Sequence, residues 1–165
     1  MQENLVSCKE GKENQEFNEN QESEEIYSNT YIYGNNCECV DFKSALKYYI
    51  SEQFSDLNEF SKLSGISISS LYSYENGDRK ISFDRLCIIC LALKLHPSRQ
   101  RYLFSLTDIK MPDAGYHNSA RKKIIRNYLD GCYYSEKYTI ENCNKELISK
   151  GEKSLSASSE KGGVR

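Results

Sequence analysis

Two cysteines, Cys87 and Cys90, have the spacing that redox-active and metal-binding pairs use. A zinc site needs two further ligands at a matched spacing, which only an unsupported fold-back of Cys37 and Cys39 would supply. Both Cys87 and Cys90 fall on the predicted inward stripe of a helix, where a thiol acts as a small apolar side chain. We therefore predict core cysteines with no metal or cofactor. A cysteine-based metal or redox sensor is kept as the weakest hypothesis.

The two histidines complete no recognisable catalytic pattern. His96 precedes the helix-breaking Pro97, and His117 falls in a predicted loop. Neither belongs to a triad or a metal cluster, and the chain contains no glycine-rich phosphate loop. The sequence therefore predicts that the protein is not an enzyme.

Charge divides the chain into two unlike parts. Residues 1–40 contain nine Glu and two Lys, a net charge of −7, whereas residues 41–165 carry a net charge of +5. The first part shows no sustained hydrophobic period, which predicts a disordered acidic arm. An apolar cluster in this arm is available to dock elsewhere and comprises Ile26, Tyr27, Tyr31, Ile32 and Tyr33.

Hydropathy gives no sign of membrane insertion or secretion. No apolar run approaches the roughly 18 to 20 residues that a membrane span requires. The N-terminus also lacks a basic start followed by an apolar stretch. We therefore predict a cytoplasmic protein with no membrane partner.

Five short helices are predicted between residues 41 and 107. Each starts at a residue that suits a helix N-terminus, in the order Asp41, Asp56, Ser67, Ser82 and Pro97. The predicted inward residues of the second and third helices are Leu57, Phe60, Leu63, Leu71 and Tyr74. Gly65 and Gly77 follow these two helices and suit their ends. Because helices this short need each other's apolar faces, the expected fold is a compact all-α bundle.

The second and third helices resemble the helix-turn-helix of the lambda-repressor-like (Cro, XRE) DNA-binding domains. The resemblance covers about residues 42–107 and is carried by Ser61, Gly65, Ile66, Leu71 and Tyr74, followed by ENGDRKIS. It implies a compact five-helix lambda-repressor-like bundle. It also implies that a recognition helix, residues 67–76, enters the major groove of double-stranded DNA.

The side chains left outside the core define the predicted reading surface. After Leu71 and Tyr74 are buried, the outward-facing residues are Ile68, Ser69, Ser70, Tyr72 and Ser73. Serine hydroxyls donate to or accept from base edges, and Ile68 can meet a thymine methyl. The resemblance implies base contacts for Ile68, Ser69, Tyr72 and Ser73, and phosphate contacts for Asn76, Arg79 and Lys80. Lys43 and Lys62 can add backbone contacts.

One position departs from the family pattern. Leu57 stands at the first position of the second helix, where the family often has a Gln that braces the reading residues. No sequence preference can therefore be transferred from the family to this chain.

The rest of the chain is divided by its composition. We predict a disordered acidic arm at 1–40, a helix-turn-helix DNA-binding domain at 41–110, a C-terminal helical extension at 111–152 and a flexible tail at 153–165. The extension carries a basic side with Arg121, Lys122, Lys123 and Arg126. This side can lengthen a DNA footprint, although a solvated charged face is the simpler interpretation.

Two functions share this predicted fold. The first is a sequence-specific DNA-binding transcriptional regulator that acts as a homodimer on a two-fold site. The alternative is a protein-interaction module, such as an antitoxin or adaptor, whose exposed tyrosines bind a protein partner while the acidic arm discourages nonspecific DNA binding.

Overall fold

The structure is a computed structural model that describes residues 41–113, 115 and 119–156. It contains seven α-helices and, within those ranges, no strand. They are α1 (Phe42–Gln53), α2 (Leu57–Ser64), α3 (Ile68–Glu75), α4 (Phe83–Ala92), α5 (Pro97–Ser105), α6 (Ala120–Gly131) and α7 (Ile140–Ser149). The all-α prediction, with five helices followed by a helical extension, is confirmed. The predicted acidic arm lies outside the described residues.

Local signals fix the helix ends largely as predicted. The Asp41 carboxylate accepts the Ser44 N–H at 2.8 Å, and the Asp56 carboxylate accepts the Asn58 N–H at 2.9 Å. Gly65 ends α2 in the left-handed conformation, with φ 68°, which suits a residue without a Cβ. Ser82 precedes α4 as predicted, but its side chain makes no capping hydrogen bond. The predicted position of Ser82 at the start of α4 is therefore confirmed, whereas a side-chain cap is not formed.

Helix α4 is the centre of the core. Every residue from Arg85 to Ala92 is buried, as expected of a helix that is apolar on nearly all sides. Helix α2 packs on α4, and so do α6 and α7. Cys87 and Cys90 are fully buried within this core, which confirms the prediction that they act as core side chains.

The predicted inward face of α2 is partly wrong. Phe60 is buried and Leu57 packs against the core, but Leu63 is 54% exposed. Ser64, one residue later, is buried instead, and its hydroxyl donates to the Phe60 carbonyl at 2.7 Å. In a helix of eight residues, a small rotation decides which neighbour faces the core. The outward position of Leu63 places an apolar side chain on the surface beside the turn.

The C-terminal hairpin, α6 and α7, shares its core with the five preceding helices. Ile125, Leu129 and Leu147 belong to the same buried cluster as the α4 side chains. Gln100 of α5 is fully buried, and its Nε2 donates to the Leu129 carbonyl at 2.7 Å. The hairpin is therefore packed into the fold.

Two arginines of α6, Arg121 near its start and Arg126 near its middle, connect this helix to other parts of the chain. Arg121 Nη2 donates to both carboxylate oxygens of Asp84, at 2.9 and 3.0 Å. Arg126 pairs with Asp130 at 2.7 Å and donates to the Pro112 carbonyl at 2.9 Å. Two of the four cations predicted to form a basic side therefore hold the fold.

The chain after α7 folds back onto the hairpin. The N–H of Leu155 donates to Asn144 Oδ1 at 2.7 Å, and the Leu155 side chain is buried. Leu155 lies in the segment predicted to be a flexible tail, residues 153–165, of which residues 157–165 are outside the described part. Among the helices that the structure describes, none has the length and hydrophobicity of a membrane span.

Candidate nucleic-acid interface

Ser61 takes part in two hydrogen bonds across the turn between α2 and α3, one as donor and one as acceptor. Its hydroxyl donates to the Ile66 carbonyl at 2.7 Å, and its own carbonyl accepts the Gly65 N–H at 2.9 Å. Ile66 is fully buried and anchors the turn in the core. The small side chain of Ser61 therefore leaves room for α2 and α3 to approach each other. Its hydroxyl also bonds across the turn that joins them.

The first turn of α3 is held by its own serines. The Ser67 hydroxyl accepts the Ser70 N–H at 3.3 Å and lies 3.0 Å from the Ser70 hydroxyl. Ser70 is only 9% exposed. The prediction that Ser70 faces outward is therefore wrong, because the cap draws its hydroxyl back toward the helix start. Its observed role is to hold the N-terminus of α3.

Two buried side chains fasten α3 to the bundle, as predicted. Leu71 and Tyr74 are both almost fully buried. The Tyr74 hydroxyl accepts a hydrogen bond from Arg85 of α4, whose guanidinium carbon lies 5.8 Å from the Tyr74 ring centroid. Arg85 is 6% exposed. Sequence reasoning missed Arg85, although a buried tyrosine hydroxyl needs a hydrogen-bonding partner and was a signal that one exists.

Four of the five predicted base-contacting residues lie on the accessible side of α3. Ser69 is exposed, Tyr72 is 52% exposed, and Ile68 and Ser73 are half-buried. The Ser73 hydroxyl donates to the Ser69 carbonyl at 2.9 Å. The Ser73 hydroxyl proton is therefore bonded within α3, and the oxygen can still accept a hydrogen bond from another molecule. This face offers hydroxyls, one aromatic ring and one branched apolar side chain.

The five residues predicted to contact phosphate are all exposed: Lys43, Lys62, Asn76, Arg79 and Lys80. The start of α1 lies beside the loop after α3, since a Cβ on Gly77 would be 3.7 Å from Lys43 Cδ. Lys62 lies on the last turn of α2. The structure thus brings cations from α1 and from the loop after α3 to one place.

The ion pairs of these cations are solvent-exposed. Lys80 Nζ lies 3.1 Å from Asp108, and Lys43 Nζ lies 3.9 Å from Asp41. Exposed pairs contribute little to stability in water, so such cations can exchange one anion for another. Both lysines therefore remain available to a phosphate.

Acidic groups near this surface have shifted pKa values. Burial raises the pKa of the Glu75 carboxyl at the end of α3, and the nearby Lys47 cation opposes that shift. Hydrogen bonds from Ser44 lower the pKa of Asp41, and those from Asn58 lower the pKa of Asp56. The two capping carboxylates are therefore stabilised in the charged form that suits a helix N-terminus.

The cysteines of the described part are poor nucleophiles and poor ligands. Burial raises the pKa of Cys132 to about 11 and that of Cys143 to about 12. It also raises the pKa of Cys87 and Cys90 well above the ordinary value. The thiols therefore stay protonated near neutral pH. Among the described residues, no three His, Cys, Asp or Glu side chains form a group that suits a metal ion.

Comparison with known proteins gives one family. Residues 56–100 match a family model described as Helix-turn-helix. The matched segment starts at the cap of α2, includes the turn and all of α3, and ends within α5. No curated protein and no solved structure matches the chain. Residues 56–100 are therefore similar to the helix-turn-helix of the lambda-repressor-like (Cro/XRE) DNA-binding domains.

Proposed function

We propose that the protein is a sequence-specific DNA-binding transcriptional regulator that places α3 in the major groove. The observation that carries this proposal is the accessible face of α3, formed by Ile68, Ser69, Tyr72 and Ser73, on a helix fixed to the core. A helix of this width fits the major groove of B-DNA. The family match supports DNA binding, while base selection and a role in transcription are our inference.

Each side chain on this face suits a particular kind of base contact. Ile68 suits a thymine methyl, and Ser69 can donate or accept. The proton of Ser73 is donated within the helix, so Ser73 suits a donor on the base, such as the amino group of cytosine or adenine. We assign Ser70 to holding the helix start, since it is buried.

The flanking cations set position and affinity in this proposal. Lys43, Lys62, Asn76, Arg79 and Lys80 contact phosphates, which carry no sequence information but fix the register of α3. We further propose that residues 41–110 form the DNA-binding domain and residues 111–152 an extension that supports α4. A homodimer on a two-fold site would place two copies of α3 about 34 Å apart.

Selection of duplexes from a random library by the full chain tests the proposal. We expect an enriched motif with two-fold symmetry. Changing both Ser69→Ala and Ser73→Ala should alter that motif while leaving the salt dependence of binding unchanged. The matched variant Lys80→Ala should weaken binding to all sequences and lower the salt slope by about 1. Binding that equals nonspecific binding at every salt concentration would contradict the proposal.

A second function, as a protein-interaction module, is favoured by an aromatic patch of His96, Tyr133 and Tyr134. The His96 and Tyr133 rings are edge to face at 4.9 Å, and the two tyrosine rings lie 5.2 Å apart. Tyr134 is 68% exposed. Exposed aromatic rings are enriched at protein interfaces. An antitoxin or adaptor would then bind its partner here.

Co-purification tests this second function. A stoichiometric protein partner should appear with the unaltered chain and be lost from a Tyr133→Ser, Tyr134→Ser variant. A monodisperse preparation that binds only DNA would count against it.

A further inference from the structure

A groove of about 470 Å³ lies beside the residues proposed to contact phosphate. Its apolar lining comes from Phe42, Ile81, Leu106 and Ile109, which pack against the core but are only half-buried. These residues come from α1, from the loop after α3 and from the end of α5 and the segment beyond it. The groove therefore exposes apolar surface that an apolar segment can cover.

The rim of the groove is charged and on balance positive. Lys43, Arg79 and Lys80 line it together with Asp41 and Asp108, which gives a net charge of +1. All three cations are exposed. An occupant that is both acidic and apolar would match the rim and the floor at once.

A segment with this composition precedes the groove in the chain. Residues 22–33, ESEEIYSNTYIY, contain three Glu, no Lys or Arg, and five Ile or Tyr side chains. Asp41, where the described chain begins, itself lines the groove. The seven residues 34–40 span up to roughly 25 Å when extended, so the segment can reach any part of the groove.

We propose that residues 22–33 bind in this groove and compete with DNA for Lys43, Arg79 and Lys80. The acidic start of the segment lies against the rim, and the Ile and Tyr side chains cover the apolar floor. A short tether gives the segment a local concentration on the order of millimolar, so a weak intrinsic affinity is enough. Competition with DNA rests on the proposed function, whereas docking of the segment does not.

A photo-crosslinker in the arm tests docking in the full chain without DNA. With Tyr31→p-benzoylphenylalanine, we expect an intramolecular crosslink to peptides that contain Phe42, Ile81 or Ile109, with a yield that does not change on dilution. The same probe at Phe17, outside the segment, should give no preference for the groove. Crosslinks spread over the surface, or formed mainly between two chains, would overturn the proposal.

Variants of the groove separate docking from chance contact. Ile109→Glu replaces an apolar contact with a like charge and should lower the crosslink yield by about tenfold. Ile148→Glu, at an exposed site on α7, is the matched control and should leave the yield unchanged. Arg79→Glu, at an exposed loop position, gives the same test if Ile109→Glu does not fold. An unchanged yield in folded Ile109→Glu or Arg79→Glu protein overturns docking.

Addition of duplex DNA tests competition separately. Saturating duplex should suppress the crosslink, and a crosslink that persists in the bound complex overturns competition. If the protein bound no DNA, the proposed function would fail, while the crosslink yield without DNA would still decide whether the segment docks.

Discussion

Arg85 on the buried helix α4 donates a hydrogen bond to the Tyr74 hydroxyl on α3. The two residues lie eleven positions apart and come from helices that a loop separates. A guanidinium is expensive to bury, and each of its buried donors needs an acceptor. Tyr74 supplies one such acceptor and at the same time presents its ring to the cation. The orientation of α3 is therefore linked to α4 by more than apolar contact.

Tyr74→Phe tests this link. The substitution keeps the ring and removes the acceptor of a buried, charged donor, so the free energy of unfolding should fall by about 1–3 kcal/mol. Tyr72→Phe, two residues away and at an exposed position, is the control and should change the free energy of unfolding by less than about 0.5 kcal/mol. The chain has no tryptophan, so urea unfolding is followed by far-UV circular dichroism. Equal stabilities of the two variants would contradict the link.

The turn of the helix-turn-helix depends on the Ser61 hydroxyl. Ser61→Ala removes the donor to the Ile66 carbonyl and should lower the free energy of unfolding by about 1 kcal/mol. Ser73→Ala is the matched control, because its hydroxyl bonds only within α3 and its loss should cost less than about 0.5 kcal/mol. Under the proposed function, Ser73→Ala would still change base preference. A stability loss at Ser73 as large as that at Ser61 would refute this assignment.

The contact between Arg121 and Asp84 should stabilise the attachment of the C-terminal hairpin. Both side chains are about four-fifths buried, and Arg121 Nε also donates to the Lys153 carbonyl at 2.8 Å. Arg121→Gln should therefore lower the free energy of unfolding by about 2 kcal/mol. The loss should persist in 1 M salt, because buried pairs are screened little.

An exposed ion pair on α7 provides the control for Arg121→Gln. Lys145 and Glu141 lie 2.7 Å apart and are both mostly solvated. Lys145→Gln should give no measurable change in stability. If the two variants behaved alike, the Arg121 contact would have no special role in holding the hairpin.

The buried thiols predict a loss of stability at alkaline pH. The pKa of Cys132 rises from 9.0 to about 11 and that of Cys143 to about 12 on folding, so the unfolded chain ionises first. Their contribution to stability is complete below pH 9 and is lost as the pH rises toward 11 to 12. Urea titrations from pH 8 upward should show this decline, and Cys143→Ala should make it shallower.

Alkylation gives an independent reading of the same thiols. At pH 8, iodoacetamide should leave Cys87, Cys90, Cys132 and Cys143 unmodified in the folded protein and modify all four in urea, as measured by peptide mass spectrometry. If iodoacetamide modified these four cysteines as fast in the folded protein as in urea, their burial would be contradicted.

Helix ends were predictable because their signals are local. Asp41, Asp56 and Ser67 cap the next few N–H groups, and Gly65 and Gly77 supply left-handed residues at helix ends. Each depends only on residues within one turn, so the sequence pattern contains the whole interaction. The order of the first five helices followed from these signals.

Side-chain orientation was less predictable where a helix is short. Leu63 and Ser70 were assigned to the wrong sides because eight residues make only about two turns, and the hydrophobic period then defines a face only coarsely. At Ser70 a local hydrogen bond decided the outcome, and at Leu63 the neighbouring Ser64 took the buried position.

Buried polar residues could not be found from the pattern at all. Arg85 follows Asp84, and Gln100 lies between Arg99 and Arg101, so both stand beside charged residues in the sequence. Their partners Tyr74 and Leu129 are 11 and 29 positions away. Polar residues are ordinarily expected at the surface. Only the packed fold brings these donors and acceptors together.

Adjacent residues of α4 bind two different parts of the fold: Asp84 pairs with Arg121 of the C-terminal hairpin, and Arg85 donates to Tyr74 of α3. A shift at the start of α4 would therefore move both partners at once. The start of α4 is therefore a polar junction that the hairpin and the helix proposed to read DNA have in common, in addition to the apolar core that packs them together.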